Sequence, residues 1–149
     1  VEGICDWLAE CQYIRDSDLF REPDYWQHPL TFEQLRRGDC EDHALWAWRK
    51  LHELGITADL YVGQWGAEST SGGFHAWVVF ERDGQRFLLE PVIKRPRECV
   101  RPLEVARADY VPHYSVNTSF HMCARSGLLV YWRQEELARR SGTRPTQAV

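Results

Sequence analysis

The chain has 149 residues, of which 44% are hydrophobic, and its 18 basic and 22 acidic residues give a net charge of −4. A chain of this length buries roughly two-thirds of its unfolded surface, which excludes a wholly disordered protein. The sequence contains neither a basic stripe nor a run of 18 apolar residues. We therefore expect neither a nucleic-acid partner nor membrane insertion. We expect a monomer with one domain over residues 1–140 and a flexible polar tail over residues 141–149.

The N-terminal part predicts short helices joined by irregular chain. Ile4, Leu8 and Cys11 recur at helical spacing, which predicts a helix over residues 3–14. Residues 16–29 contain two prolines and read as irregular, and residues 31–37 predict a turn or short helix that closes at Gly38.

The five cysteines are odd in number, widely spaced and lack a Cys-x-x-Cys pair; they are Cys5, Cys11, Cys40, Cys99 and Cys123. This pattern argues against a disulfide framework and against a zinc site, so at least one thiol should stay free. A cytoplasmic location is slightly favoured, and a periplasmic one stays open if an N-terminal signal has been removed.

Residues 40–54 are the strongest predicted helix. Asp39 fits an N-cap, Asp42 completes a capping box three residues later, and Gly55 is a good stop. At 100° per residue the apolar side chains form one continuous arc, and Cys40 falls inside it. The opposite side is mostly polar, with Trp46 as an exception.

Two histidines lie on the flanks of this helix. His43 and His52 are outside the apolar arc, so we expect both of them to be solvated.

Antiparallel strands are predicted after the helix. Thr57 to Trp65 reads as a strand, residues 66–73 as a loop, and Asp83-Gly84 as a two-residue hairpin turn between residues 74–81 and 85–90. The Arg- and Pro-rich chain after Pro91 reads as loop. The last predicted elements are strands over 115–123 and 127–132 and a helix over 134–140. The order predicts an α+β fold in which the Cys40 helix packs on an antiparallel sheet.

The hairpin turn fixes a register. With Asp83 and Gly84 as the loop, Phe80 faces Phe87 and Glu81 faces Arg86, which gives one apolar face and one charge pair. The same parity puts His75 and Glu90 on one side of the sheet as diagonal neighbours, about 7–8 Å apart at Cα. A carboxylate at this place would hold the imidazole in one tautomer.

These residues form a candidate catalytic triad. A thiol on the first turn of a helix is activated by the helix dipole and by an imidazolium partner. Cys40 would attack a carbonyl, His75 would act as the base and Glu90 would orient it, while the backbone N–H of Cys40 would stabilise the oxyanion.

The carboxylates around the cysteine oppose its activation. Asp39, Glu41 and Asp42 crowd the same turn, and their charges would raise the pKa of the thiol. They must therefore point outward, take part in capping, or hold a cation.

Four segments together resemble the bacterial transglutaminase-like cysteine proteinases. They are Asp24-Tyr25-Trp26-x-x-Pro29, Gly38-Asp39-Cys40-Glu41-Asp42-His43-Ala44, Gly73-Phe74-His75-Ala76-Trp77-Val78 and Leu89-Glu90-Pro91. The resemblance covers residues 13–91 and implies a papain-like fold with thiol acyl chemistry on a peptide or side-chain amide. The sequence departs from the family by having Glu90 where Asp is usual.

Further site residues are candidates. Trp26, an aromatic of the motif that carries the resemblance, and Trp77 are candidates for substrate binding, with core packing as the alternative for Trp26. Gln34 is a candidate oxyanion donor from its spacing alone, six residues before Cys40. No cofactor is required by thiol chemistry. Some relatives depend on calcium, which would here be held by Asp39 and Glu41.

Three functions fit these residues. The first is a cysteine protease or amidase acting on a protein or peptide, and the second is a transglutaminase-type acyl transferase in which an amine replaces water. The third is a catalytically inactive domain that only binds protein or peptide. The first two use the same residues, so the sequence alone does not separate them.

Overall fold

The computed structural model describes residues 1–66 and 74–124, which form an α+β fold. The helices are α1 Glu2–Ala9, α2 Asp16–Leu19, α3 Pro29–Leu35, α4 Cys40–Glu53 and α5 Leu103–Ala106, with 3₁₀ turns at Pro96–Glu98 and Arg107–Asp109. The strands are β1 Gln12–Tyr13, β2 Arg37–Gly38, β3 Ala58–Trp65, β4 Phe74–Arg82, β5 Gln85–Leu89, β6 Val100–Pro102, β7 Tyr110–Val116 and β8 Met122–Ala124. Within the described ranges, none of these helices is long and apolar enough to cross a membrane.

The main sheet has six strands in the order β6-β5-β4-β3-β7-β8, and every neighbouring pair is antiparallel. Because side chains alternate between the faces of a sheet, β4 contributes to two cores. Ala76, Val78 and Phe80 pack with α1, α3 and α4 in the larger core, whereas Trp77 and Val79 pack with Tyr110 in a smaller one on the opposite face. The predicted α+β fold is confirmed.

Helix α4 begins at Cys40 as predicted and ends at Glu53, one residue before the predicted end. Asp39 and Asp42 form the capping box, in which the Asp42 carboxylate accepts a hydrogen bond from the Asp39 N–H at 3.3 Å. Gly55 follows the helix with φ +72°, a left-handed conformation that glycine adopts without steric cost.

The flanks of α4 are more buried than predicted. His43 is fully buried, and Trp46 stacks on Trp7 of α1 with ring centroids 3.8 Å apart. The expectation that His43 is solvated is therefore wrong, because α1 and α3 cover the side of α4 that its own periodicity marks as polar. His52 is exposed, as predicted.

The predicted hairpin register is confirmed. Arg82 pairs with Gln85, Glu81 with Arg86, Phe80 with Phe87 and Val78 with Leu89. The ladder ends one residue before Glu90, which turns toward the small core.

Several elements differ from prediction. Residues 16–29, predicted as irregular, contain α2, and α3 spans Pro29–Leu35 rather than 31–37. Helix α1 ends at Ala9 rather than continuing to residue 14, because the chain turns there and Gln12 pairs with Arg37 in the parallel β1–β2 pair. The segment after Pro91, predicted as loop, contains β6, α5 and the start of β7. The strand predicted over 115–123 is instead the end of β7, a turn and β8.

The predicted strand over 127–132, the helix over 134–140 and the tail over 141–149 lie outside the described residues.

Candidate active site

The first turn of α4 carries the candidate nucleophile. Cys40 is its first residue, partly buried, and its thiol donates a hydrogen bond to Glu41 Oε2 at 3.2 Å. Gly38 precedes this turn, and a Cβ there would lie 2.2 Å from Asp42 Oδ2 and 2.6 Å from Gln27 Nε2. The motif therefore requires a glycine for packing against the buried Asp42 and Gln27 side chains.

The surroundings of Cys40 hold its proton on sulfur. Burial raises the pKa of the Cys40 thiol, and the charge and hydrogen bond of Glu41 raise it further, whereas a hydrogen bond from the Ala76 backbone lowers it. Among the described residues, no hydrogen bond joins this thiol to His75. In this arrangement the sulfur faces the Glu41 carboxyl group.

His75 and Glu90 form the contact that the hairpin register predicted. His75 Nε2 lies 2.8 Å from Glu90 Oε2, and the Glu90 side chain is almost fully buried. The imidazole stacks on Trp77 with ring centroids 6.2 Å apart. A buried carboxylate at this distance fixes the ring and leaves Nδ1 for proton exchange.

A hydroxyl group that the sequence did not reveal completes this contact. Tyr110 Oη donates to Glu90 Oε2 at 2.7 Å, and Arg101 Nη2 donates to Tyr110 Oη at 3.3 Å. Both residues lie in the segment that reads as loop, so no periodicity or motif marks them.

Cys40 and His75 line one cleft of about 790 Å³, which we call the thiol cleft. Trp26, which the sequence offered as a substrate-binding candidate, also lines this cleft. An adjoining cleft of about 1230 Å³ shares His75 and is also lined by Glu90 and Tyr110. The triad candidates thus meet where two clefts join.

Two other predicted substrate residues lie elsewhere. Gln34 is exposed on α3 and does not line the thiol cleft. Trp77 is buried beneath His75, where it packs with Tyr61 and Tyr110. In this arrangement Trp77 packs against the His75 imidazole from the interior of the protein.

The acidic residues near Cys40 form a larger cluster than the sequence suggested. Asp39 and Glu41 are joined by Asp16 of α2 and by Asp24. Ligand atoms lie within 4.8 Å of one another in three overlapping triplets, which are Asp39-Cys40-Glu41, Asp16-Asp39-Asp42 and Asp16-Asp24-Glu41. Asp16 Oδ1 and Asp39 Oδ1 are buried without a hydrogen-bond partner among the described residues. We call Asp16, Asp24, Asp39 and Glu41 the acidic cluster.

One alternative from the sequence was that the carboxyl groups near Cys40 point outward. In the structure they do not. Burial raises the pKa of Glu41 to about 9, with Asp39 contributing. Burial also raises the pKa of Asp42 to about 6, although its oxygens accept hydrogen bonds from Gln27 N at 2.8 Å and from the Gln27 amide group. Asp42 is therefore occupied by capping and by Gln27, and the other carboxylates face the cleft.

A buried histidine contacts the start of α4 next to Cys40. His43 Nδ1 lies 2.7 Å from the Asp39 carbonyl oxygen, and Lys94 Nζ lies 3.1 Å from His43 Nε2. Burial, and then the charge of Lys94, lowers the pKa of His43 to about 4. The His43 ring is therefore uncharged at neutral pH, and its two nitrogens connect the start of α4 to Lys94.

The fold defined by these elements is an α+β fold in which a helix that begins at a cysteine packs on an antiparallel sheet. Among solved structures it is similar to calcium-bound LapG of Legionella pneumophila, with a TM-score of 0.61 and 21% identity over 83% of this chain and 66% of that chain. A second LapG structure gives a TM-score of 0.62 with 20% identity over 89% of this chain and 73% of that one.

A proposed cysteine protease from Cytophaga hutchinsonii gives a TM-score of 0.50 with 18% identity, over 83% of this chain and 43% of that one. The chain spans between 66% and 74% of the LapG chains. No protein-family model and no curated protein matches the sequence. The chain has a LapG-like fold.

Proposed function

We propose that this protein is a cysteine hydrolase that cleaves a peptide or side-chain amide bond through Cys40, His75 and Glu90. One observation supports it above all others: the thiol on the first turn of α4 and an imidazole already paired to a buried carboxylate line the same cleft. The LapG-like fold is compatible with this chemistry.

The reaction begins when the Cys40 thiol exchanges its hydrogen bond to Glu41 for one to His75. The proton passes to His75 Nδ1, and the thiolate forms a bond to the substrate carbonyl carbon. His75 then protonates the leaving amine as the C–N bond breaks, which leaves an acyl-enzyme. Water, deprotonated by His75, attacks the thioester, and the acid product leaves as the thiol is restored.

Two groups are placed to stabilise the charges that develop during this reaction. Glu90 accepts the Nε2–H of His75 and stabilises the imidazolium that follows each proton transfer. The Cys40 backbone N–H lies at the N-terminus of a 14-residue helix, where the helix dipole favours negative charge. We propose this N–H as an oxyanion donor, and the exposed Gln34 is left without support for that role.

The acidic cluster fits a calcium ion. Calcium prefers six to eight oxygen ligands, and four carboxylates from three chain segments converge here, with two buried oxygens lacking partners. We propose Asp16, Asp24, Asp39 and Glu41 as its ligands. Bound calcium would supply positive charge that competes with the thiol and with protons for the Glu41 carboxylate.

Calcium is expected to raise the melting temperature. A ligand at 100 times its dissociation constant stabilises the folded state by about 2.7 kcal/mol. For a protein of this size that corresponds to roughly 5–10 °C. Differential scanning fluorimetry with calcium, with magnesium and with a chelator measures the shift, and magnesium should produce less of it because it demands a tighter octahedral site.

Asp16→Asn should abolish the calcium shift, and Asp18→Asn is its matched control. Both residues lie on α2, but Asp18 is exposed and outside the acidic cluster. An equal calcium shift in the two variants would refute the assignment of Asp16, and no shift in the unmodified protein would refute the site.

Alkylation of Cys40 by iodoacetamide is the direct test of the enzyme. With calcium present, we expect Cys40 to react below pH 7, because an imidazolium partner keeps a thiolate ionised well under the ordinary thiol pKa of about 8.5. Cys5, Cys11 and Cys99 are buried, so partly buried Cys123 serves as the internal reference in the mass-spectrometric readout.

A Cys40 that labels no faster than Cys123 at pH 6 would indicate an inactive binding domain. If Cys40 is reactive, a peptide-library digest with and without an added primary amine separates the two enzymes. Free acid products in the presence of the amine support hydrolysis, and amine-capped products indicate an acyl transferase.

A further inference from the structure

Tyr110 contacts the proposed triad from a part of the sequence that carries no motif. Its hydroxyl reaches Glu90 Oε2 at 2.7 Å, the same oxygen that His75 Nε2 contacts at 2.8 Å. The tyrosine ring is buried in the small core beside Trp77, with ring centroids 5.0 Å apart. A rigid side chain therefore holds the acid at the atom where the histidine is bound.

The Tyr110 hydroxyl stays a donor throughout the working pH range. Burial, and then the neighbouring Glu90 charge, raises the pKa of Tyr110. Arg101 Nη2 donates to Tyr110 Oη, and its guanidinium lies over the ring at 5.9 Å from the centroid. Because Arg101 occupies a lone pair of the oxygen, the O–H is directed toward Glu90.

Besides His75 and Tyr110, the described residues give the Glu90 carboxylate one weak contact. Its other oxygen, Oε1, has one long contact at 3.4 Å to the Val92 N–H. A glutamate has one more rotatable bond than an aspartate, so its carboxylate needs an external group to fix it. A hydrogen bond to a charged acceptor is among the stronger ones in proteins.

We propose that Tyr110 is a positioning residue that fixes the Glu90 carboxylate, so that His75 carries its proton on Nε2 and keeps Nδ1 for exchange with Cys40. This inference rests on the proposed function of the triad. It explains how a longer acid serves in place of an aspartate: the tyrosine removes the freedom that the extra methylene adds.

The experiment compares Tyr110→Phe with Tyr61→Phe. Tyr61 lies in the same small core, stacks on Trp77, and its hydroxyl accepts a hydrogen bond from Arg86. Ring ¹⁵N chemical shifts of His75, recorded in a Cys40→Ala background, report the tautomer without any need for activity. We expect mainly the Nε2–H form in that background and in Tyr61→Phe, and roughly half of it in Tyr110→Phe.

With Cys40 present, Tyr110→Phe should slow alkylation of Cys40 at pH 7 about tenfold. In the double variant with Glu90→Gln, Tyr110→Phe should reduce the alkylation rate little beyond the loss that Glu90→Gln causes alone. Glu90→Asp, too short to reach both partners, provides a second variant that should mix the tautomers. A folded Tyr110→Phe or Glu90→Asp protein that keeps the Nε2–H form would overturn the proposal. An unreactive Cys40 in the unmodified protein would instead refute the proposed function and leave the tautomer result to stand.

Discussion

Replacing His75 with alanine is expected to lower the rate of amide hydrolysis by about 10²- to 10⁴-fold, the usual contribution of a general acid–base residue. The surroundings of Cys40 make this dependence strong. The thiol is hydrogen-bonded to Glu41, and burial together with Glu41 raises its pKa, so we expect the thiol to be ionised only through proton transfer to the imidazole. Without His75 the thiolate fraction at neutral pH becomes very small.

The same substitution should shift alkylation of Cys40 toward alkaline pH. At pH 6 a free thiol with a pKa of about 8.5 is less than about 1% ionised, so we expect a loss of roughly 100-fold in the alkylation rate there. His52→Ala is the matched control, since His52 is exposed on α4 and far along the helix from Cys40. Equal alkylation profiles for the two variants would show that the imidazole of His75 does not activate the thiol.

Local signals in the sequence predicted half of the geometry of the proposed triad. The Asp83-Gly84 turn fixes the hairpin register, and the register alone brings His75 to Glu90. The capping pair Asp39 and Asp42 likewise places Cys40 on the first turn of α4. Both inferences need only neighbours within about fifteen residues, where the geometry of turns and caps is restrictive.

Features that depend on distant contacts were missed. His43 lies on a polar flank of α4 by its own periodicity, and only the packing of α1 and α3 buries it. Asp16 joins Asp39 because α2 folds over the first turn of α4. Tyr110 reaches Glu90 from β7, which is separated by two strands from β5, the strand that Glu90 follows. Tertiary packing decides these contacts, and a single sequence carries no periodic signal for them.

The position of β7 depends on a glycine in the neighbouring strand. Gly63 of β3 lies at the register shift between β3 and β7, where it faces Pro112. A Cβ on Gly63 would lie 2.1 Å from the Val111 carbonyl oxygen and 2.9 Å from Pro112 Cα. Both contacts are with backbone atoms, which no side-chain rotation relieves, so a larger residue must push β7 away from β3.

Gly63→Ala is therefore expected to lower the free energy of unfolding by about 3 kcal/mol, the upper part of the range for overpacking a core. The melting temperature should fall by roughly 6–12 °C in a protein of this size. Chemical denaturation measured by tryptophan fluorescence gives the free energy, and scanning calorimetry gives the melting temperature.

Gly3→Ala is the matched control for Gly63→Ala. No atom of the described residues lies within 4 Å of a Cβ at Gly3, which is in the first turn of α1, so alanine there should stabilise the protein by at most about 1 kcal/mol through helix propensity. Because Tyr110 begins β7, a displaced strand also draws its hydroxyl away from Glu90. Gly63→Ala molecules that remain folded should then show the mixed His75 tautomers expected for Tyr110→Phe. If they keep the Nε2–H form instead, the position of β7 does not control the orientation of the His75 imidazole.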